Sequence, residues 1–529
     1  MCLYATPFFA PVVWVALLHR YTLRGDFVLV GHAIGFITLY LALGGISALS
    51  DIALKTSVEI CAIYVLTLIL ITLACRLSPW HPLASYPGPL LAKTTSLWLT
   101  YVSSTGKRYA ILDSLHARYG PFLRIGPNAL SINSPSAVPL YTSAEKSEMY
   151  RYPGHHGGTA LFFKQDSPQL ERRTVQLLKT LEQRQAETEK GFLDFSETMY
   201  HWAHDFMARI LHLRLAKSGC NRFEMMKNGD KHNIIGVGKR AMAMLDILGQ
   251  SPWLLDILWH LPLTARMRAH EKNAAEMMRT RVKAVDLPGY RDLSSYLIDG
   301  EVCLKDLEAD AIVAIIGGSD NTSITVTFAI YFLLSTPQYY RRLRKELDEA
   351  FLDPASPLSL NTLAQLEFLD AVINETLRLA SPYFNPRIIP RGGSVVDGKY
   401  IPGGTIVALA AHSQQVSPDN FYPSPQEFLP DRWLPDGLGP GTRTNKAMLA
   451  SFSYGAHSCI GKVLAYHQMR LALARLLLAF DFELQEGFDV AGFRAGILNM
   501  RTMFLEKELY VKITRRPGVN LDALENALA

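Results

Sequence analysis

Between Phe27 and Leu49 the chain runs FVLVGHAIGFITLYLALGGISAL without one formal charge. No other feature restricts the fold as much. A helix at a soluble core needs a polar stripe recurring every three or four residues, and none recurs here, so the segment belongs in hydrocarbon. As a helix it would be about 34 Å long, enough to cross a bilayer core of roughly 30 Å. A second stretch, Val58 to Cys75, has one charge, Glu59, near its outer end, and Arg76 closes the other. A third candidate, Leu3 to Leu18, is marginal in length and contains Pro7 and Pro11. A cleaved signal peptide explains one such segment but not a series. Residues 1–78 therefore read as a membrane region with two or three transmembrane helices.

Basic residues orient it. If all three segments cross, Arg20 and Arg24 share a side with Arg76, Lys93, Lys107 and Arg108, while the opposite loop, Asp51 to Lys55, has no net charge. The positive-inside rule then puts everything after Arg76 in the cytoplasm, and dropping the first span changes nothing for the large domain. Residues 79–93 are crowded with Pro79, Pro82, Pro87, Gly88 and Pro89, which predicts a stiff extended neck. Residues 94–529 read as one globular catalytic unit, without repeats or a second linker. Lys plus Arg number 53 against 48 Asp plus Glu, thinly spread, which argues against nucleic acid as a partner. The 6 cysteines are too scattered for a disulfide framework.

The body is mostly helical by pattern. Helices are predicted over Tyr109–Tyr119, Gln169 to about Gln185, Phe192–Leu215, Ala265–Val285, Leu304–Ser335, Pro337–Phe351, Asn361–Leu379 and Gly461–Phe480. Phe122 to Ile132 alternates around Gly126-Pro127-Asn128, a strand–turn–strand signal. Short strands and turns fill Ser381 to Tyr454. The paired His155-His156 tempts a metal reading, but no third ligand at zinc spacing accompanies it, and a loop is the better reading.

The most telling string is FSYGAHSCIG, Phe452 to Gly461. Cys459 precedes a strong helix, where amide N–H groups and the helix dipole lower a thiol pKa. Gly455 and Gly461 remove side chains on either side, letting a flat cofactor and the backbone approach closely, and Phe452 can wall off the sulfur. A shielded, hydrogen-bonded thiolate is the haem axial ligand that favours O–O cleavage. Cys459 alone would be an ordinary buried cysteine; the spacing Phe-x2-Gly-x3-Cys-x-Gly is specific. Glu375-Thr-Leu-Arg378 puts an acid and a base three apart on one helical face. Gly317-Gly318 in the middle of a long helix costs roughly 1 kcal/mol per residue against Ala, which points to a steric requirement or a close helix crossing.

With these strings, and with Phe428-Leu-Pro-Asp-Arg432-Trp433, the chain resembles the cytochrome P-450 family of haem-thiolate monooxygenases, of the fungal microsomal type, from roughly Pro79 to about Arg516. The resemblance implies a mainly α fold with a small β region, preceded by the transmembrane helices. It implies haem b with Cys459 as axial ligand, and a buried structural triad of Glu375, Arg378 and Arg432. In the family an acid and an alcohol on the distal helix relay protons to oxygen at the haem. Asp320 matches the acid, and Asn321 stands where the alcohol is usual. Delivery is therefore expected to use Asp320 with Thr322, ordered water or the substrate. For the haem carboxylates, Arg387 matches a family arginine and His457 replaces another. Arg172, or its neighbour Arg173, matches the basic residues of an early helix, with Pro168 where an aromatic residue is usual. Ser381 to Pro386, Ile312 to Ile316 and Leu498 to Met503 resemble substrate-facing segments, whose apolar character fits a lipophilic substrate.

The implied reaction inserts one oxygen atom from O2 into a lipophilic small molecule, in fungal secondary metabolism (terpenoid-like tailoring) or broad xenobiotic oxidation. Electrons would come from NADPH through a separate flavoprotein reductase, because the chain has no nucleotide-binding Gly-rich turn, with cytochrome b5 as a further partner. Lys462 and Arg470 offer an acidic partner a contact. The implied location is the endoplasmic reticulum membrane, catalytic domain toward the cytoplasm. Two rivals remain open. One is a haem-thiolate isomerase or dehydratase that consumes a peroxide without O2 or reductase; the other is a non-catalytic haem-binding or scaffold protein.

Overall fold

A computed structural model describes residues 24–44, 50–147, 167–210, 225–230, 233–283, 294–295, 298, 303–354, 356–380, 383–499 and 503–527. The candidate span Leu3 to Leu18 and the His155-His156 loop lie outside the described residues. The principal helices in the first half are α1 (Gly25–Ala42), α2 (Ser50–Leu77), α3 (Arg108–Tyr119), α4 (Ser167–Ala186), α5 (Phe195–Ile210), α6 (Ile234–Gly249), α7 (Pro252–Leu258) and α8 (Ala265–Lys283). The second half supplies α9 (Leu304–Ser335), α10 (Pro337–Ala350), α11 (Glu367–Ala380) and α12 (Lys462–Ala479).

The first apolar stretch makes a shorter helix than expected. Leu43 and Gly44 turn the chain, Gly44 taking a φ of +90° that favours glycine. Among the described residues α2 starts at Ser50, ahead of the expected Val58. Both helices are long and apolar enough to cross a membrane. They fold back on each other, with His32 Nε2 3.0 Å from the Tyr64 hydroxyl and His32 Nδ1 2.7 Å from the Val28 carbonyl. Those polar groups satisfy one another, as an apolar solvent demands.

The hairpin does not hang free. At Gly25 an added Cβ would lie 2.0 Å from the Trp253 carbonyl oxygen, so only glycine permits this approach to α7. The Gly25 N–H, an orphan of the first helical turn, donates to Asp256 Oδ2 at 3.1 Å. Asp26 adds contacts to Arg24 at 2.7 Å and to His260 at 3.2 Å.

The expected extended neck is instead a run of turns fastened to the body. The Arg124 N–H donates to the Pro87 carbonyl at 2.7 Å, and a Cβ on Gly88 would meet the Arg124 carbonyl at 2.3 Å. Leu83 and Tyr86 are buried. Prolines here stiffen a packed corner, because the segment has apolar side chains to bury between them.

The strand–turn–strand signal is seen as β1 (Phe122–Gly126) and β2 (Ala129–Ile132), paired antiparallel. With β3 (Glu145–Lys146), β4 (Arg387–Ile388) and β5 (Ile406–Leu409) they make one sheet in the order β1-β2-β5-β4-β3. Lys146 sits opposite Arg387 in its register. A smaller sheet pairs Phe480–Leu484, Tyr510–Arg515 and Leu193–Asp194.

α9 is the axis of the helical core. Its 32 residues run unbroken from Leu304 to Ser335, and Ile324 to Leu333 are buried all round. α5, α8, α11 and α12 pack against it. Two helical patterns were misjudged from sequence. Asn361 to Leu379 is broken: a single turn, Leu360–Leu363, precedes α11, whose first amides at Phe368 and Leu369 donate to Glu346 of α10 at 2.8 and 2.9 Å. α6 escaped notice because Gly236 and Gly238 interrupt its apolar stripe.

Candidate active site

α11 and α12 are tied together. Arg470 makes a two-pronged pair with Asp370 at 2.6 and 2.7 Å, and the Tyr466 hydroxyl lies 2.6 Å from Asn374 Oδ1. Arg470 is therefore neutralised inside the chain and is not the free cation expected for an acidic partner. Lys462 is exposed, with Nζ 5.8 Å from the Phe452 ring centre.

Glu375 is the hub of α11. Arg378 donates to its two carboxylate oxygens at 2.8 and 2.7 Å, Arg432 at 3.0 Å, the Leu429 N–H at 2.9 Å and the Trp433 indole at 2.9 Å. All three ionic side chains are fully buried. Burial drives the carboxyl up, but the Arg378 hydrogen bond and the charges of Arg378 and Arg432 outweigh it and leave Glu375 below the usual range. Arg378 also donates to the carbonyls of Gln415 and Glu427 at 2.6 and 3.1 Å. One carboxylate thus pins the irregular chain leading to the cysteine loop. Trp433 and the Leu429 amide were not anticipated as its partners.

The loop itself is tightly specified. Ser453 and Gly455 take φ of +56° and +67°. A Cβ at Gly455 would sit 2.2 Å from the Tyr141 carbonyl, so the expected close backbone approach is made here by Tyr141. The Cys459 N–H donates to the Phe452 carbonyl at 2.7 Å, while the Phe452 ring packs 5.5 Å from that of Tyr466. Gly461 caps α12, and its Cβ would lie 3.9 Å from Cys459 Sγ in ordinary contact. Cys459 is accessible yet hemmed in. Burial raises its thiol pKa, against the Gly461 N–H and the charges of Lys146 and Lys462. The expectation that the helix start by itself lowers this thiol is corrected: desolvation wins. A coordinating cation is what deprotonates such a thiol outright.

Arg387 reaches the loop, donating to Ser453 Oγ at 3.1 Å. It is 1% exposed, no described carboxylate pairs with it, and its Nε has no hydrogen-bond partner among the described residues. Its guanidinium carbon lies 5.0 Å from the Tyr141 ring centre. Burial holds His457 below its usual pKa, and the charges of Lys146 and Arg387 add to this against Glu145. Three basic groups thus converge beside the cysteine. Lys146 was missed from sequence, since only the β3–β4 register brings it here. Tyr383 is also close: burial and then Cys459 push its hydroxyl well above the usual range. Arg172 is exposed on α4, and Arg173 is buried, donating to Gln176 at 2.8 Å; neither bonds to the loop among the described residues.

On α9, Val313, Gly317 and Asn321 recur every four residues along one face. Val313 is 65% exposed, Gly317 is exposed, and nothing would meet a Cβ at Gly317 within 4 Å. Gly318 has a different reason: its Cβ would strike Met207 Sδ at 2.4 Å, so it permits the crossing with α5. Asp320 is buried toward α5, with Oδ1 3.7 Å from His204 Nε2. Thr322 corrects an expectation. Its hydroxyl faces inward to Gln468 Oε1 at 3.3 Å, turned from the open face by the 100° step per residue. Ser381 and Pro382, and Met500 to Thr502, lie outside the described residues.

The cofactor of a haem-thiolate enzyme fits these residues. It needs an accessible thiol, side-chain-free helix surface and a buried cation, and Cys459, Gly317 and Arg387, with which no described carboxylate pairs, supply them. Among the described residues no group of three or more His, Cys, Asp or Glu side chains could hold a metal ion by itself.

The cytochrome P-450 family model matches residues 159–500. The cytochrome P-450 monooxygenase cpaH of Aspergillus oryzae is 30% identical over 474 residues, 82% of this chain and 89% of the relative. The cytochrome P-450 monooxygenase phqL of Penicillium fellutanum is 29% identical, covering 81% of each chain. The cytochrome P-450 monooxygenase poxC of Penicillium oxalicum is 31% identical over 426 residues, 77% of this chain and 84% of the relative. The chain belongs to the cytochrome P-450 family, haem-thiolate enzymes with a cysteine axial ligand, and is a monooxygenase.

Proposed function

We propose that Cys459 is the thiolate ligand in an endoplasmic-reticulum enzyme that oxidises a lipophilic metabolite, with electrons from NADPH through a separate flavoprotein reductase and cytochrome b5 as a further partner. The observation that carries this is Arg387, a buried guanidinium against the cysteine loop with no acid paired to it among the described residues. Arg387, with Lys146 and His457, would hold the haem carboxylates. When bound, the haem supplies activation of O2 for insertion of one oxygen atom. The chain's own part is to shield the sulfur with Phe452, give it the Gly461 N–H, and keep the Gly317 face free of side chains. Asp320, one residue before Asn321, passes a proton on for delivery, and Asn321 can order a water on that face. Thr322 instead steadies α9 against α12 through Gln468.

The substrate is a lipophilic small molecule, in terpenoid-like tailoring or broad xenobiotic oxidation; the exposed apolar Val313 on the Gly317 face supports the lipophilic character. The hairpin α1–α2, with Arg24 and Arg76 at its ends near the body, supports a cytoplasmic catalytic domain. Reduced microsomal protein treated with carbon monoxide should show the absorbance of a thiolate-ligated haem, and Cys459→Ala should lose it. An untargeted product screen in a reductase-containing host, fed terpenes, steroids and polycyclic aromatics, then identifies the substrate. Asn321 on the open face favours one second reading, a peroxide-consuming isomerase or dehydratase. Stoichiometric O2 and NADPH consumption with product would exclude it.

A further inference from the structure

α5 passes α9 so closely at Gly318 that His204, one turn before Met207, reaches the next residues of α9. The hydrogen-bond pattern around His204 is restrictive. Nδ1 lies 2.9 Å from the Tyr200 carbonyl, which can only accept. Nε2 lies 3.3 Å from Ser319 Oγ and 3.7 Å from Asp320 Oδ1. The one hydroxyl proton of Ser319 is committed to the Ile315 carbonyl at 2.5 Å, so Ser319 accepts from the ring. Both ring nitrogens therefore face acceptors, with the Asp320 carboxylate next to Nε2. Both side chains are almost fully buried.

From this geometry we infer that His204 is a positioning residue that holds Asp320 and keeps a proton beside it for the distal side of the haem. The inference rests on the haem-enzyme reading above. As an imidazolium, His204 passes a proton from Nε2 to Asp320 Oδ1 once the pair closes from 3.7 Å, leaving a neutral imidazole and a carboxylic acid. Once Asp320 yields it, the carboxylate is restored, and a proton from bulk solvent, relayed through ordered water, returns to the imidazole.

The surroundings supply a route for that water. The Tyr200 hydroxyl is buried with no hydrogen-bond partner among the described residues, a place for an ordered water. Over the Tyr200 ring, 3.5 Å from its centre, sits Nζ of Lys239, a half-buried residue of α6. Burial lowers the Lys239 pKa, and Asp320 is foremost among the charges opposing this. Other charged or titratable groups around the pair and Lys239, among the described residues, are Asp194, Glu197, His201, Asp205, Arg173, Arg184 and Glu508.

The test uses the full-length holoenzyme in nanodiscs with the reductase. In infrared spectra, the carboxylate band lost in Asp320→Asn should shift in His204→Gln, whose amide keeps an N–H donor but cannot carry the proton. In parallel, O2 consumption at saturating NADPH should slow about 10-fold or more, with a larger share of O2 recovered as hydrogen peroxide. Lys239→Met, at the outer end, should lower O2 consumption and leave the band in place. An unshifted band together with an unchanged peroxide share in His204→Gln would overturn the inference. If His204→Gln does not load haem, His204→Asn is read the same way. A parent protein without the thiolate absorbance would instead sink the underlying haem reading, so the two failures are distinguishable.

Discussion

The surroundings of Glu375 and the groove of α9 solve opposite problems. At Glu375 both carboxylate oxygens are saturated by donors from four residues, and water is excluded. Along α9 a strip of surface is left bare at Gly317, while the polar residues beside it face inward to His204 and Gln468. Saturation fixes a shape, whereas bare surface and a movable proton permit chemistry. Substitutions in the first region should therefore cost the fold, and those in the second should separate stability from turnover.

The largest expected effect is at Glu375. Glu375→Ala strands two buried guanidinium groups, at a cost of about 3–5 kcal/mol, and haem-loaded protein in membranes should fall to background. Retention of full carbon-monoxide absorbance would erase the proposed contrast. The same carboxylate gives a pH signature. Its folded pKa lies below the usual value, so its contribution is complete above roughly pH 4.3 and is lost as pH falls through the folded value. Melting temperature should drop with acidification below about pH 4, and Glu375→Gln should remove that component.

Next come the paired glycines. Gly318→Ala forces a methyl against Met207 and should destabilise by roughly 1–3 kcal/mol. Gly317→Ala meets nothing and should raise stability by up to about 1 kcal/mol while lowering turnover. Thermal unfolding and product rate, measured on both variants, sharpen the distinction between a packing glycine and a space-keeping one. The smallest stability effect is Asn321→Thr, within about 0.5 kcal/mol because the two residues have similar helix propensity. Its readout is hydrogen peroxide released per NADPH oxidised, which should fall if a hydroxyl on that face improves proton delivery.

Much of this was legible along the chain. Glu375 and Arg378 announce themselves by spacing, Cys459 by its flanking glycines, and α9 by its length. What sequence concealed depends on direction or on distant pairing. Thr322 looked equivalent to Asn321 in a string, yet a helical wheel separates it from the Gly317 face. Lys146 meets Arg387 only through a two-residue strand register. His204 reaches Asp320 only because Gly318 lets two helices touch. Gly455 admits a close backbone approach, as its spacing suggests, but that the neighbour is the Tyr141 carbonyl is fixed only by the fold. The sulfur of Cys459 was read as activated by its helix, and the protein packed around it reverses the sign.

The grip of Gly25 on Asp256 bears on how the enzyme is handled. Deleting the leader to obtain a water-soluble preparation would take away the amide that caps this acid, along with the flat seat against Trp253. α7 links α6 to α8, which overlies α9, so such a preparation would breathe differently above its reaction chamber. Rates taken from it would describe a loosened catalyst, and foreign anchors lacking a glycine at that spot would inherit the same fault.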